Sequence, residues 1–148
     1  MSKLGLRTLV LASDRALEGL TIPSNVEILD QISRPEIRKL VRHARVNVVP
    51  LNDQALTAGL VTIVETYRHG RSLVTTDRAG LEDYCLHGKN SLCAQLFDPK
   101  SMAEAIDQMW SDDGLRAELD DNALDFAENN CTDEAAAGHL YRILDAVS

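Results

Sequence analysis

Gly59-Leu-Val-Thr-Ile-Val-Glu65-Thr-Tyr-Arg-His-Gly70-Arg-Ser-Leu-Val-Thr-Thr-Asp77-Arg-Ala-Gly80 is the stretch that decides the reading of this chain. It reads as a loop glycine, one amphipathic helix carrying a carboxylate, a glycine stop, a short apolar strand and a polar turn. A helix that opens on glycine exposes its first backbone N–H groups, and these bind phosphate. Glu65 follows Gly59 by six residues, under two helical turns. A carboxylate at that distance suits a diol, because it accepts two hydrogen bonds from neighbouring hydroxyls. Phosphate on the helix start and ribose on the glutamate together describe a nucleotide. Two plainer readings stay open: Gly59 as an ordinary loop glycine, and Glu65 as a solvent-facing helix residue.

Outward from this stretch, strands alternate with helices. Leu6–Ser13 is an apolar run suited to a strand buried on both faces, and Val26–Leu29 is a second short strand. Ser33-Arg34-Pro35-Glu36 is a helix start, with a serine cap, a proline in the first turn and a glutamate closing the capping box. Ile37, Leu40, Val41 and Ala44 then share one face. Val46–Val49 makes the third strand, Leu73–Thr75 the fourth and Ser91–Ala94 the fifth. The helix after Gly59 is expected to bury Val61 and Val64. Downstream, Asp98-Pro99 caps a helix with Met102, Ala105, Ile106, Met109 and Trp110 inside. Asp112–Asn129 follows, with Leu115, Leu119, Leu124 and Phe126 inside. Thr132 caps a last helix, on which Ala136, Leu140, Leu144 and Val147 recur at helical spacing. The pattern predicts an α/β fold: a Rossmann-like, mainly parallel sheet of about five strands flanked by helices, with a helical C-terminal region.

The central stretch resembles the donor-binding segment of group 1 glycosyltransferases, enzymes of two facing Rossmann-like domains (the GT-B type). That family reads Glu-x-Phe-Gly-Leu-x-x-x-Glu-Ala-x-Ala-x-Gly-x-Pro-Val-Val-x-Thr-Asp. Glu65, Gly70, Val74, Thr76 and Asp77 stand where the pattern wants them, and Gly59-Leu60 stands one residue ahead of its Gly-Leu pair. The resemblance continues through Gly80-Leu81-Glu82-Asp83-Tyr84, His87-Gly88-Lys89-Asn90 and Asp98-Pro99 to Ile106, and covers the chain from near Leu9 to Leu144. It implies that Gly59, Leu60 and Val61 offer amides to a nucleoside diphosphate and that Glu65 takes the ribose. It also places Gln31 and Ile32, after the second strand, at the pocket for the base.

Three positions depart from the family. Thr57 falls where the first glutamate of the paired-glutamate motif stands, leaving one hydroxyl as a sugar contact. Arg71-Ser72 stands where the pattern has x-Pro, and Ala79 replaces one glycine of the turn. The family's donor domain also opens with a strand, a Gly-Arg loop and a lysine-bearing helix, for which no counterpart precedes Thr8, and the acceptor domain is missing.

Composition bounds the remaining classes. The 148 residues suit a single domain, 1–148, large enough for a core. The net charge of −8 is uneven: residues 1–97 carry 12 basic and 10 acidic side chains, residues 98–135 carry 2 and 12. That balance argues against a nucleic-acid partner. Arg34, Arg38, Lys39, Arg42 and Arg45 at helical spacing read as a solvated face. Cys85, Cys93 and Cys131 form neither a disulfide framework nor a zinc pattern and read as buried fillers. His43, His69, His87 and His139 stand singly, so no metal and no cofactor is expected. No apolar run approaches the ~20 residues of a membrane helix, and a cytoplasmic address is the default.

The expectation is therefore a donor-binding domain that takes a nucleoside diphosphate sugar and transfers its sugar to an unspecified acceptor. The alternative is a nucleotide-binding or structural module, a truncated or split-enzyme remnant without transferase activity of its own. With the family's central first strand gone, Leu6–Ser13 is expected to pair beside residues 46–49. Otherwise a second copy or a partner chain, such as the missing acceptor domain, supplies the pairing.

Overall fold

The computed structural model of the protein describes residues 5–12, 17–52 and 59–146. Among these the element order is β1 (Thr8–Leu11), β2 (Val26–Leu29), α1 (Arg34–His43), β3 (Asn47–Val49), α2 (Leu60–Arg68), β4 (Leu73–Thr76), β5 (Ser91–Ala94), α3 (Pro99–Ser111), α4 (Asp113–Asn130) and α5 (Asp133–Ala146). Every ladder is parallel, so the α/β class read from the sequence holds. The chain divides into two compact units, Met1–Leu40 and Val41–Ser148. Among the described residues no helix is long and apolar enough to cross a membrane.

In the first unit β1 and β2 form a two-stranded sheet, with Thr8 opposite Val26 and Leu11 opposite Leu29. Asn25 fixes the entry to β2: its Nδ2 donates to Leu6 O at 2.7 Å, while Thr8 N–H donates to Asn25 O at 2.9 Å. The capping box forms as expected. Glu36 Oε2 accepts from Ser33 N at 2.9 Å and Ser33 Oγ at 2.6 Å, and Glu36 N–H reaches back to Ser33 Oγ at 3.4 Å. Ile37, Leu40, Val41 and Ala44 are the half-buried positions of α1 and its exit, on the face their spacing marked out.

The second unit is built on the sheet β3-β4-β5, with β4 central and buried at all four residues. Its core joins Ile63 and Tyr67 of α2, Leu73 of β4, Leu81 and Cys85 of the turn after β4, and Ala123 and Ala127 of α4. Phe126 meets Tyr67 edge-on with ring centroids 6.0 Å apart, and Tyr84 at 6.4 Å. The helix caps are local: Asp98 Oδ1 accepts from Lys100 N and Ser101 N, Asp112 Oδ1 from Leu115 N, and Thr132 Oγ1 from Ala135 N. Asp120 ties α4 to the turn before β4. Its Oδ1 accepts from Ser72 N and Ser72 Oγ, each at 2.6 Å, and its Oδ2 pairs with Arg71 Nη1 at 2.9 Å. Arg71 also donates to Ala44 O at 2.8 Å. Arg45 stacks on Trp110 with its guanidinium 4.9 Å from the ring centroid and donates to Trp110 O and Asp113 Oδ1.

Several expectations are corrected. β1 pairs with β2 alone among the described residues, not beside residues 46–49, and the five strands are divided between two sheets. Nor is β1 buried on both faces: Thr8 and Val10 are half-buried while Leu9 and Leu11 are exposed. Successive side chains of a strand point to opposite faces, and this pair covers only one. On α2 the buried residues are Ile63, Thr66 and Tyr67, whereas Val61 is 84 % exposed. On α4 the small Ala123 and Ala127 join Leu119 inside, and Leu124 lies at the surface. Leu140 and Leu144 of α5 are exposed as well. Val147 lies outside the described residues.

Candidate functional site

Gly59 opens α2 in the left-handed conformation, at φ 84° and ψ −16°. Only glycine takes that conformation without steric cost. A Cβ there would also lie 2.6 Å and 2.8 Å from the two methyl carbons of Leu51. Helical bonding begins at once, with Ile63 N–H donating to Gly59 O at 2.9 Å. No described side chain caps α2, whereas α3, α4 and α5 are each capped by an oxygen side chain. The first-turn N–H groups of α2, beginning at Leu60 and Val61, are thus the donors that a helix presents to an anion.

The carboxyl edge of the sheet fixes the chain that leads into this loop. Thr76 Oγ donates to Leu51 O at 2.6 Å and accepts from Leu51 N–H at 3.0 Å, which joins the ends of β3 and β4. Arg78 is buried and its Nη1 donates to Asn52 O at 2.9 Å. Asp77, whose N–H donates to Ala94 O at 2.7 Å, is exposed at the end of β4. Ligands of open α/β sheets gather at such edges.

Beside α2 runs an open groove of about 270 Å³, lined by Leu60, Val61, Val64, Glu65, Arg68 and Tyr84. Spacings of three and four residues bring Leu60, Val64 and Arg68 to one side of the helix, with Val61, Glu65 and Arg68 beside them. Tyr84 arrives from the turn after β4. Asn90 holds that turn, its Nδ2 donating to Tyr84 O at 2.9 Å and its Oδ1 accepting from Leu86 N–H at 2.8 Å. The groove thus combines apolar walls with one carboxylate and one guanidinium. Glu65 is half-buried, and one of its oxygens, Oε1, lies 3.5 Å from His69 Nε2, one helical turn on.

A family model for group 1 glycosyl transferases matches residues 6–112. The chain belongs to the group 1 glycosyltransferase family. No curated protein matches it significantly. The glycosyltransferase match ends at Asp112, the residue that caps α4, so α4 and α5 lie beyond it.

Of the residues named from the sequence, Leu60, Val61 and Glu65 come together in the groove, with Gly59 at the head of their helix. Val61 is there because it faces outward. Thr57 lies outside the described residues. Gln31 and Ile32 belong to the first unit: Gln31 follows β2 with φ 54° and Ile32 is half-buried. Arg68 is an exposed surface residue that also lines the groove, since three residues after Glu65 is the same helix face. Tyr84 was missed, because it is placed by the turn and left no local signal.

Burial disfavours the thiolate form of Cys85 and Cys93. Burial pushes Cys85 up to about 11 and raises Cys93 as well, so both stay protonated at neutral pH. Tyr67, whose hydroxyl reaches Cys85 Sγ at 3.5 Å and Asn90 Oδ1 at 3.4 Å, is raised by the same burial. Among the described residues no group of His, Cys, Asp and Glu is arranged to hold a metal ion.

Proposed function

We propose that this chain is the donor-binding part of a group 1 glycosyltransferase and takes the nucleoside diphosphate of a sugar donor at the head of α2. The observation that carries the reading is the pairing of a helix start at Gly59, capped by no described side chain, with a carboxylate, Glu65, in the adjoining groove. Backbone N–H groups and the helix dipole meet the diphosphate, and Glu65 accepts from the ribose diol. Arg68 adds a positive charge at the far end of the same groove. Family membership supports a nucleotide sugar as the substrate class. Chemical-shift titration with UDP, GDP and ADP tests the reading. We expect millimolar affinity, about −4 kcal/mol, with responses at residues 59–65. Glu65→Ala should remove a charge-assisted hydrogen bond of about 1.5–3 kcal/mol and make binding undetectable. Silence of residues 59–65 toward all three nucleotides would sink it.

A second reading is a module that binds the donor without transferring its sugar. It is favoured by Thr57, which stands where the family has a glutamate. A single hydroxyl cannot replace a carboxylate beside the transferred sugar. Incubation with a panel of nucleotide sugars separates the readings: hydrolysis or transfer supports an enzyme, and binding without turnover supports the module.

A further inference from the structure

We propose that His69 is a positioning residue for Glu65: its buried Nε2 holds one carboxylate oxygen and so aims the other into the groove. The inference rests on the donor-site reading above. Two observations carry it. His69 Nε2 is enclosed and has no hydrogen-bond partner among the described residues, yet it lies 3.5 Å from Glu65 Oε1. A separation of 3.5 Å is too long for a well-formed hydrogen bond, and a buried donor left unmade is costly. A small turn of the Glu65 side chain closes the gap and satisfies the imidazole nitrogen.

The histidine is the better-fixed partner of the two. It ends α2, its N–H donating to Thr66 O at 3.1 Å, and the next residue, Gly70, donates to Tyr67 O at 2.8 Å. Its backbone is thereby set, while Glu65 sits mid-helix with its carboxylate at the groove. An imidazole protonated at Nε2 donates from that atom, which is what an acceptor-only carboxylate requires. Arg68, a cation on the same side of α2, is exposed, so its pull on Glu65 is screened by water. A carboxylate held at one oxygen loses less rotamer freedom when the other accepts from a diol.

The experiment titrates the full chain with UDP, GDP and ADP and compares His69→Ala, His69→Gln and His69→Asn, with thermal unfolding recorded for each. The glutamine amide nitrogen stands close to where histidine Nε2 lies, and the asparagine nitrogen close to Nδ1. Expected is binding about tenfold weaker in His69→Ala and His69→Asn, and within about twofold of wild type in His69→Gln. Should the alanine variant fail to fold, the contrast between Gln and Asn carries the same test. Wild-type affinity in folded His69→Ala, or equal behaviour of Gln and Asn, overturns the inference while leaving the donor site standing if Glu65→Ala still abolishes binding. A wild-type chain that binds none of the nucleotides overturns both.

Discussion

Gly59 and Phe97 both occupy the left-handed region, one with the residue that conformation favours and one without. Gly59 sits at φ 84° against Leu51. Gly59→Ala places a Cβ where the backbone disfavours it and where Leu51 must move, so it should cost about 2 kcal/mol. It should also weaken nucleotide binding, since the first turn of α2 is displaced; urea unfolding and the UDP titration read the two effects. Phe97, in the turn between β5 and α3, has φ 59° and is 73 % exposed. Its ring is mostly in water, so little burial opposes the backbone cost of about 1–2 kcal/mol. Phe97→Gly relieves that cost but adds freedom to the unfolded chain. The urea midpoint should rise, by up to about 1 kcal/mol in stability. A lower midpoint would show that the ring packs more than its exposure indicates.

The elements are held by a few side chains that bond across long stretches of chain. Asp120 of α4 takes three hydrogen bonds at the turn before β4, one from a backbone N–H and one from the Arg71 guanidinium. The pair is largely buried, so removing one partner strands the other without water. Asp120→Ala should therefore cost about 3 kcal/mol, lower the denaturant midpoint and loosen β4. Asp120→Asn, which keeps an oxygen for Ser72, should recover part of the loss. Equal stability of the alanine variant and wild type would mean that α4 is held by its apolar face alone. The Ser33–Glu36 box is exposed by comparison and sets where α1 starts.

Across the whole molecule, shifted groups set the pH range of stability. Glu36 is lowered by the Ser33 hydroxyl and N–H, Glu82 by the N–H groups of Glu82 and Gly80, and Asp113 by hydrogen bonding to Arg116 and the charge of Arg45. A carboxyl lowered by folding stabilises above its ordinary value, 4.5 for Glu and 3.8 for Asp, and that contribution fades as pH falls through the lowered value. Cys85 is shifted the other way by burial, from 9.0 to about 11. Its contribution is whole below pH 9.0 and is lost as pH rises toward about 11, because the unfolded thiol ionises first. Thermal unfolding across pH should show a plateau between about 5 and 9 with a fall on each side. Cys85→Ala should flatten the alkaline fall, and an unchanged alkaline limb would count against the assigned cause.

What the sequence by itself determined is whatever depends on near neighbours. The capping box of α1, the Asp98 and Thr132 caps and the stop at Gly70 all involve partners within a few residues, so composition and spacing expose them. The glycine start of α2 and the place of Glu65 on it belong to the same class. The tertiary structure decided what lies farther apart. Tyr67 rather than Val61 faces inward on α2 because α4 brings Phe126, Ala123 and Ala127 to that side. The Asp120 clamp spans 49 residues to Arg71. Tyr84 enters the groove only because Asn90 folds the turn after β4. That β1 pairs with β2 alone among the described residues escaped the sequence for the same reason: an apolar strand specifies that it will pair, and its partners are set by which edges the rest of the fold presents.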